Sequence, residues 1–139
     1  MAESEKIFRV ISEQRCWQLL RAGTIGRVAW TSPTGPEVLP VTYAVHDDQI
    51  VFRTAPYGPL AQLKEPQAVV FEIDEFDLDQ RSGWSVTARG TSRAASRADE
   101  LVQLWDNEEP VPWAAGTRTL FLVVVPHQVN GRIVGAGSP

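Results

Sequence analysis

The sequence predicts a mainly β protein, an antiparallel barrel whose ends are covered by short helices. Six or seven segments carry the alternating or continuous apolar residues typical of strands, and most are joined by short links. Helical spacing occurs in only two or three short segments, so the long helical connections that a parallel sheet needs are missing. The chain has 139 residues, enough for one domain with a buried core. Closing such a sheet on itself removes its free edges and gives a barrel.

The first element is a helix predicted over 13–22. Ser12 is suited to cap its N-terminus and Gly23 to end it, and Leu19 and Leu20 lie on one apolar face. Two further short helices are predicted over 60–65, behind Pro59, and from 96 to about 105. The predicted strands are 24–31, 37–46, 49–55, 67–76, 83–95, 119–125 and 128–134.

Two prolines refine the strand predictions. Pro40 cannot donate a backbone hydrogen bond, so the strand that contains it is expected at an edge, at a bulge or near its end. Pro126 follows the most apolar segment of the chain and is expected to stop that strand. Among the five tryptophans, packing accounts for Trp17, Trp30 and Trp105.

Composition excludes several classes of function. Thirteen Lys and Arg against seventeen Asp and Glu give a net charge of −4, so the basic surface expected of a nucleic-acid-binding protein is missing. No apolar segment approaches the ~20 residues of a membrane span, and no signal peptide is evident. We expect a cytoplasmic protein with a single domain over 1–139, an N-terminal arm at 1–11 and a flexible tail at 135–139.

The sequence offers few residues suited to hydrolytic catalysis or to metal binding. Cys16 excludes an internal disulfide and is expected to be a buried structural thiol. His46 and His127 are expected in turns or at the surface, so no metal site is predicted. The acidic cluster that includes Glu72 and Asp74 is interpreted as a solvated strand face. No catalytic residue is assigned.

The remaining functional prediction that rests on the residues alone is a binding site for an anion. Arg53 and Thr54 end an apolar strand and precede a glycine-containing turn and a short helix. A cation and a hydroxyl beside such a turn suit a phosphate group. A surface arginine that pairs with a nearby acid explains Arg53 equally well.

Several motifs together resemble a known family. They are VLPVTY at 38–43, IVFRT at 50–54, the segment 58–63, GWSVTARG at 83–90 and PWAAG at 112–116. In this order and spacing they are similar to the flavin-binding split-barrel family related to pyridoxamine 5′-phosphate oxidase, including its small nitroimidazole-reductase-like bacterial members. The resemblance covers about 12–134. It implies a six-stranded antiparallel split β-barrel with Greek-key character, a homodimer, and FMN in a groove at the dimer interface.

The resemblance also implies roles for individual residues. One strand would lie along the flavin ring, the next would run beside the ring and ribityl chain toward the phosphate, and the following turn would meet the phosphate. Two tryptophans would approach the groove from the partner subunit. The predicted cofactor-binding residues are Leu39, Pro40, Val41 and Thr42, then Phe52, Arg53 and Thr54, then Gly58, Pro59 and Leu60, and finally Trp84 and Trp113.

Pro59 departs from the family pattern. Related sequences usually have a phosphate-binding lysine there, and losing that charged contact costs about 1.5–3 kcal/mol. The deazaflavin coenzyme is therefore an alternative ligand to FMN, and haem is a less favoured one. The expected substrate is a small molecule. Two alternatives to an oxidoreductase follow: a non-catalytic carrier or sensor with a weakened phosphate site, and an interaction domain with an empty groove. Arg132 alone does not supply the substrate-phosphate arginines of true pyridoxamine 5′-phosphate oxidases, so vitamin B6 oxidation is not expected.

Overall fold

A computed structural model of the chain describes residues 9–97, 100, 101, 103 and 119–139. Within these ranges an α-helix, a 3₁₀-helix and the helical residues 100, 101 and 103 accompany eight strands. In chain order the elements are β1 Arg9–Ile11, α1 Glu13–Ala22, β2 Ile25–Ser32, β3 Gly35–Thr42, β4 Ala44–His46, β5 Gln49–Thr54, the 3₁₀-helix Pro59–Lys64, β6 Ala68–Asp77, β7 Ser82–Ala94 and β8 Leu120–Val134.

The strands form one antiparallel sheet that curls back on itself. Their order is β3-β2-β6-β7-β8-β5-β4, with β1 paired to the far end of β8. β3 and β4 lie at opposite ends of this order, yet only Tyr43 separates them in sequence. The sheet must therefore close until its two ends meet, while no ladder joins β3 to β4 or β5 within the described ranges. This unpaired border is the opening of a split barrel, and the predicted fold class is confirmed.

Six of the strands have six or more residues and form the barrel wall, whereas β1 and β4 have three residues each. Inward positions alternate along the wall and include the fully buried Val28, Phe71 and Val86. Outward positions on the same strands are half-buried or exposed.

α1 covers one end of the barrel. Its inward face carries Cys16, Leu19 and Leu20, which are buried. The Ser12 hydroxyl accepts a hydrogen bond from the Arg15 backbone N–H at 3.2 Å, so the predicted N-cap is confirmed. The helix ends at Gly23, whose N–H donates to the Leu19 carbonyl at 3.1 Å.

Two strand predictions were wrong. The segment 37–46 is divided at Tyr43, where the chain passes from one end of the sheet to the other. Pro126 does not stop its strand, because β8 continues through it to Val134. Arg89 lies opposite Gln128 but Gly90 lies opposite Pro126, so His127 is the extra residue of a β-bulge. A bulge interrupts the ladder locally and so accommodates a residue without an N–H.

The remaining predictions concern the ends of the chain and its later helix. Residues 100, 101 and 103 are helical, and the predicted end of that helix near Trp105 lies outside the described residues. The predicted flexible tail contacts α1, since an Arg15 guanidinium nitrogen donates to the Pro139 carbonyl at 2.7 Å. Among the helices that the structure describes, none is long and apolar enough to cross a membrane.

Candidate functional site

The strand predicted to lie along a flavin ring is one border of the split. Within the described ranges β3 pairs only with β2, so one side of its backbone faces the opening. Leu39 and Val41 are half-buried and pack against the main core, while Pro40 is exposed. Of the three positions expected for Pro40, an edge, a bulge or a strand end, the structure shows the edge strand, so its missing N–H leaves no gap in a second ladder.

The facing border of the split is β5, which approaches β3 to within 8 Å between Cα atoms without pairing to it. Phe52 and Thr54 are buried, whereas Arg53 is half-buried and lies on the opposite side of the strand. The Arg53 guanidinium carbon lies 5.3 Å from the centre of the Phe121 ring. The three predicted residues therefore do not present one surface, because side chains alternate along a strand.

The turn predicted to meet a phosphate follows β5. Gly58 has φ +100°, a conformation that side chains rarely adopt, and its carbonyl accepts a hydrogen bond from the Ala61 N–H at 3.2 Å. Gly58 and Pro59 are exposed, and Leu60 packs against the main core. Pro59 supplies neither a cation nor an N–H at this turn.

Trp84 lies far from these residues in the same chain. It is half-buried on β7, packs against the main core, and pairs in register with Ile133 of β8. Arg53 pairs with Phe121, twelve positions earlier on β8. Twelve residues of extended strand measure at most roughly 40 Å along the chain, so we expect that one subunit alone does not bring Trp84 and Arg53 to one ligand. Trp113 lies outside the described residues.

A cluster of charged side chains lies beside Pro40 and escaped the sequence interpretation. Arg27, the cross-strand partner of Pro40, places its Nη1 3.4 Å from Glu72 Oε1 and 3.6 Å from Asp74 Oδ1. Burial, together with hydrogen bonding and charge repulsion from Asp74, raises the pKa of Glu72 to about 7, although Arg27 opposes the shift. The acidic residues were visible in the sequence, but the pairing of β2 with β6 was not.

The other titratable side chains do not form a reactive group among the residues that the structure describes. Cys16 is fully buried beneath β1, and burial raises the pKa of its thiol. His127 Nε2 lies 2.7 Å from the Thr91 hydroxyl at the bulge. In the part of the chain that the structure describes, no three His, Cys, Asp or Glu side chains are placed to ligate a metal.

Comparison with known proteins supports the family that the sequence motifs resemble. The model of the pyridoxamine 5′-phosphate oxidase family matches residues 12–133. A FAD-binding protein from Mycobacterium smegmatis is 28% identical, with a TM-score of 0.77 over 91% of this chain and 98% of that one. A putative pyridoxamine 5′-phosphate oxidase from Corynebacterium glutamicum is 27% identical, with a TM-score of 0.78 over 96% and 97% of the two chains.

A more distant structure shares the fold. A FAD-binding protein from Mesorhizobium loti is 22% identical, with a TM-score of 0.75 over 92% of this chain and 99% of that one. The match to the family model covers most of the barrel, including both borders of the split. The chain belongs to the pyridoxamine 5′-phosphate oxidase family.

Proposed function

We propose that the protein is a homodimeric flavin-dependent oxidoreductase that holds the flavin ring at the border between β3 and β5. The observation that carries the proposal is the split itself, where two neighbouring strands approach without pairing. Family membership supports a flavin, as does a relative with 28% identity that is a FAD-binding protein. FMN was the flavin expected from the sequence, and FAD and the deazaflavin coenzyme share its tricyclic ring shape.

The free side of β3 suits the polar edge of such a ring. An edge strand presents N–H and C=O groups that its own sheet does not use, and Leu39 to Thr42 lie on this strand. Leu39 and Val41 add apolar contacts from the core side, and Arg53 supplies positive charge from β5. A bound flavin supplies the hydride or electron chemistry, and the protein supplies orientation and electrostatics.

The test is a set of titrations on the freshly purified full-length protein. We expect visible absorption or quenched fluorescence, with micromolar affinity for at least one of FMN, FAD and the deazaflavin coenzyme, followed by reduction of an acceptor. Light scattering at micromolar concentration is expected to give a dimer. Binding of none of the three at micromolar concentration would sink the proposal, and a monomer would contradict the shared groove.

Pro59 favours a second candidate, a flavin carrier or sensor that does not turn over. The exposed proline begins the 3₁₀-helix at the position where related sequences carry a phosphate-binding lysine. Bound flavin that never reduces an acceptor under any reductant supports the carrier, and measured turnover excludes it.

Pro59→Lys tests the importance of this position for the phosphate. Because a charged hydrogen bond contributes about 1.5–3 kcal/mol, the substitution is expected to tighten FMN binding about tenfold or more. Pro56→Lys is the matched control, since it adds the same charge at another exposed proline of this loop. Equal effects of the two substitutions would show that only the general increase in positive charge matters.

A further inference from the structure

The Arg53 side chain lies against an aromatic ring of the neighbouring strand. Its guanidinium carbon is 5.3 Å from the centre of the Phe121 ring. A cation is attracted to the face of an aromatic ring within ~6 Å of the ring centre. Arg53 of β5 and Phe121 of β8 are register partners, so the two side chains leave the sheet side by side on the same face. The contact therefore follows from the register of these two strands.

The Phe121 ring is held in place by a second apolar cluster on the outer face of the sheet. We call it the outer cluster and define it by the buried residues Val51, Ala95, Phe121 and Val123. Phe121 is only 1% exposed, and its carbonyl accepts a hydrogen bond from the Ala95 N–H at 3.0 Å. The adjacent Phe52 and Leu122 point the other way, into the main core. The ring is thus a fixed surface beside a long side chain.

A fixed ring changes what Arg53 loses when it binds an anion. An arginine side chain has several rotatable bonds, and holding it against a ligand costs conformational entropy. A guanidinium that already rests on a buried ring has fewer orientations to lose. Attraction to the ring face and restricted motion therefore both prepare Arg53 for an anionic partner.

Arg53 lies on the part of β5 that borders the split. β4 pairs with residues 49–51 of β5, so within the described ranges no ladder covers the β3 side of 52–54. The exposed turn at Gly58 and Pro59 follows this segment. Pro59 carries no charge, so Arg53 is the only cation among the residues predicted to hold the cofactor. The charged contact to a flavin phosphate is therefore assigned to Arg53.

We propose that Phe121 is a positioning residue that holds the Arg53 guanidinium in place for the phosphate of a bound flavin nucleotide. This role rests on the proposed flavin function and names a residue outside the predicted cofactor-binding set. Phe121 acts through Arg53 and makes no contact with the flavin itself. The sequence motifs could not identify it, because its pairing with Arg53 depends on the register between β5 and β8.

The first measurement uses the full-length protein labelled with ¹⁵N and free of flavin. The Arg53 Nε–H resonance is assigned from its loss in Arg53→Gln. We expect it to be shifted to high field by the ring current of Phe121, and to move toward the position of a solvated arginine in Phe121→Leu. An Arg53 resonance that is the same in the wild type and in Phe121→Leu would overturn the proposal, whether or not a flavin binds.

The second measurement compares FMN with riboflavin, which has the same ring and lacks the phosphate. Phe121→Leu is expected to weaken FMN binding roughly two- to tenfold and to leave riboflavin binding unchanged. Phenylalanine analogues with one, two and three ring fluorines at position 121 keep the shape of the ring and withdraw electron density from its face. FMN affinity is expected to fall stepwise along this series, which also covers the case that Phe121→Leu fails to fold.

The same fluorinated series at Phe71 is the matched control. Phe71 is fully buried and meets Tyr43 edge to face, so its series is expected to keep the wild-type ratio of FMN to riboflavin affinity. A general loss of stability would weaken both ligands alike and leave that ratio unchanged.

Failure of this role and failure of the flavin function give different results. Riboflavin binding with an affinity ratio that stays constant in Phe121→Leu and along the Phe121 series overturns the role of Phe121 alone. Binding of neither FMN nor riboflavin also overturns it. The flavin function falls too if FAD and the deazaflavin coenzyme do not bind either.

Discussion

Tyr43 joins three parts of the barrel at the point where the sheet closes. Its hydroxyl donates to the Leu20 carbonyl at 2.7 Å, and its backbone N–H donates to the Thr24 carbonyl at 3.0 Å. Its ring meets Phe71 edge to face, with centroids 4.8 Å apart. Leu20 lies in the last turn of α1, where carbonyls have no helical partner, so Tyr43 satisfies a group that the helix cannot. Burial also raises the pKa of the Tyr43 hydroxyl.

Tyr43→Phe is therefore expected to lower the free energy of unfolding by about 1–2 kcal/mol, because it leaves a buried carbonyl unpaired. Chemical denaturation at neutral pH measures the change. Tyr57→Phe is the matched control, since Tyr57 is 74% exposed and its substitution is expected to change stability little. Equal stability of the two variants would show that the Tyr43–Leu20 hydrogen bond adds nothing net.

Glu72 makes stability depend on pH. Its carboxyl has an ordinary pKa of 4.5 and a folded pKa of about 7, so the folded chain binds the proton more tightly than the unfolded chain. Between these values the free energy of unfolding falls as pH rises, and above about 7 this loss is complete. The side chain is 29% exposed and close to Arg27, so we expect an effect on the order of 1 kcal/mol after solvent screening.

Glu72→Gln removes this titration while keeping a polar side chain. Relative to the variant, the wild type is expected to lose stability between pH 4.5 and pH 7.5, which denaturation at several pH values can follow. Glu75→Gln on the same strand is the control, because Glu75 is exposed and faces the other side. A difference between wild type and Glu72→Gln that is constant across this pH range would contradict the raised pKa.

The site residues show how far sequence reasoning reaches at the scale of single side chains. The motifs identified the two segments that border the split, at Leu39–Thr42 and at Phe52–Thr54. They could not show that Arg53 lies on the opposite side of β5 from its neighbours. They also could not reveal the Arg27–Glu72–Asp74 cluster, because it depends on the register between strands distant in sequence.

At the scale of elements, the strand predictions lie close to the observed bounds wherever a turn signal ends the strand. β2, β5, β6 and β7 each differ from their predictions by at most one residue at either end. The predictions were wrong where β8 continues through Pro126 and where the predicted strand 37–46 divides at Tyr43 without a proline. Both outcomes are set by tertiary pairing: the bulge at Pro126 is matched by Gly90 across the ladder, and Tyr43 lies where the sheet closes.

Gly90→Ala tests the bulge that keeps β8 continuous. A Cβ at Gly90 would lie 2.1 Å from the Val125 carbonyl oxygen, and the backbone of a central strand cannot move away cheaply. We expect a loss of about 1–3 kcal/mol or more in the free energy of unfolding, by thermal or chemical denaturation.

Gly137→Ala is the control for that substitution. Its Cβ would meet only the Ser82 side chain, with the hydroxyl oxygen at 3.0 Å and the Ser82 Cβ at 3.3 Å, and the hydroxyl can rotate away. We expect a much smaller loss of stability than in Gly90→Ala. If the two alanine variants are equally stable, the close approach at the bulge does not hold β7 and β8 in register.

At the scale of the whole molecule, the sequence predicts the architecture better than it predicts how the barrel closes. Successive strands with short links require an antiparallel sheet, and the apolar alternation requires one buried face. Neither feature determines that β6 lies between β2 and β7 or that β8 pairs with β5. These choices place Arg53 and Trp84 at opposite ends of β8, which has a direct consequence for the proposed groove.

If both residues serve one flavin, we expect them to come from different subunits of the proposed dimer, because they lie beside opposite ends of β8. Arg53→Gln and Trp84→Leu homodimers are each expected to lose most flavin binding, because every groove lacks one of the two side chains. In a mixed dimer one groove carries both substitutions, and the other is fully wild type. Co-refolding equal amounts of the two variants should therefore restore about one wild-type groove per mixed dimer.

Flavin bound per chain, measured by absorption after removal of free ligand, gives the result. Random assortment makes about half of the dimers mixed, so we expect about a quarter of the wild-type flavin content, with wild-type affinity at those sites. Each variant refolded alone is the control and is expected to stay empty at the same concentration. Recovery would require that one groove draws Arg53 from one chain and Trp84 from the other. An empty mixture would contradict a groove that takes Arg53 from one subunit and Trp84 from the other.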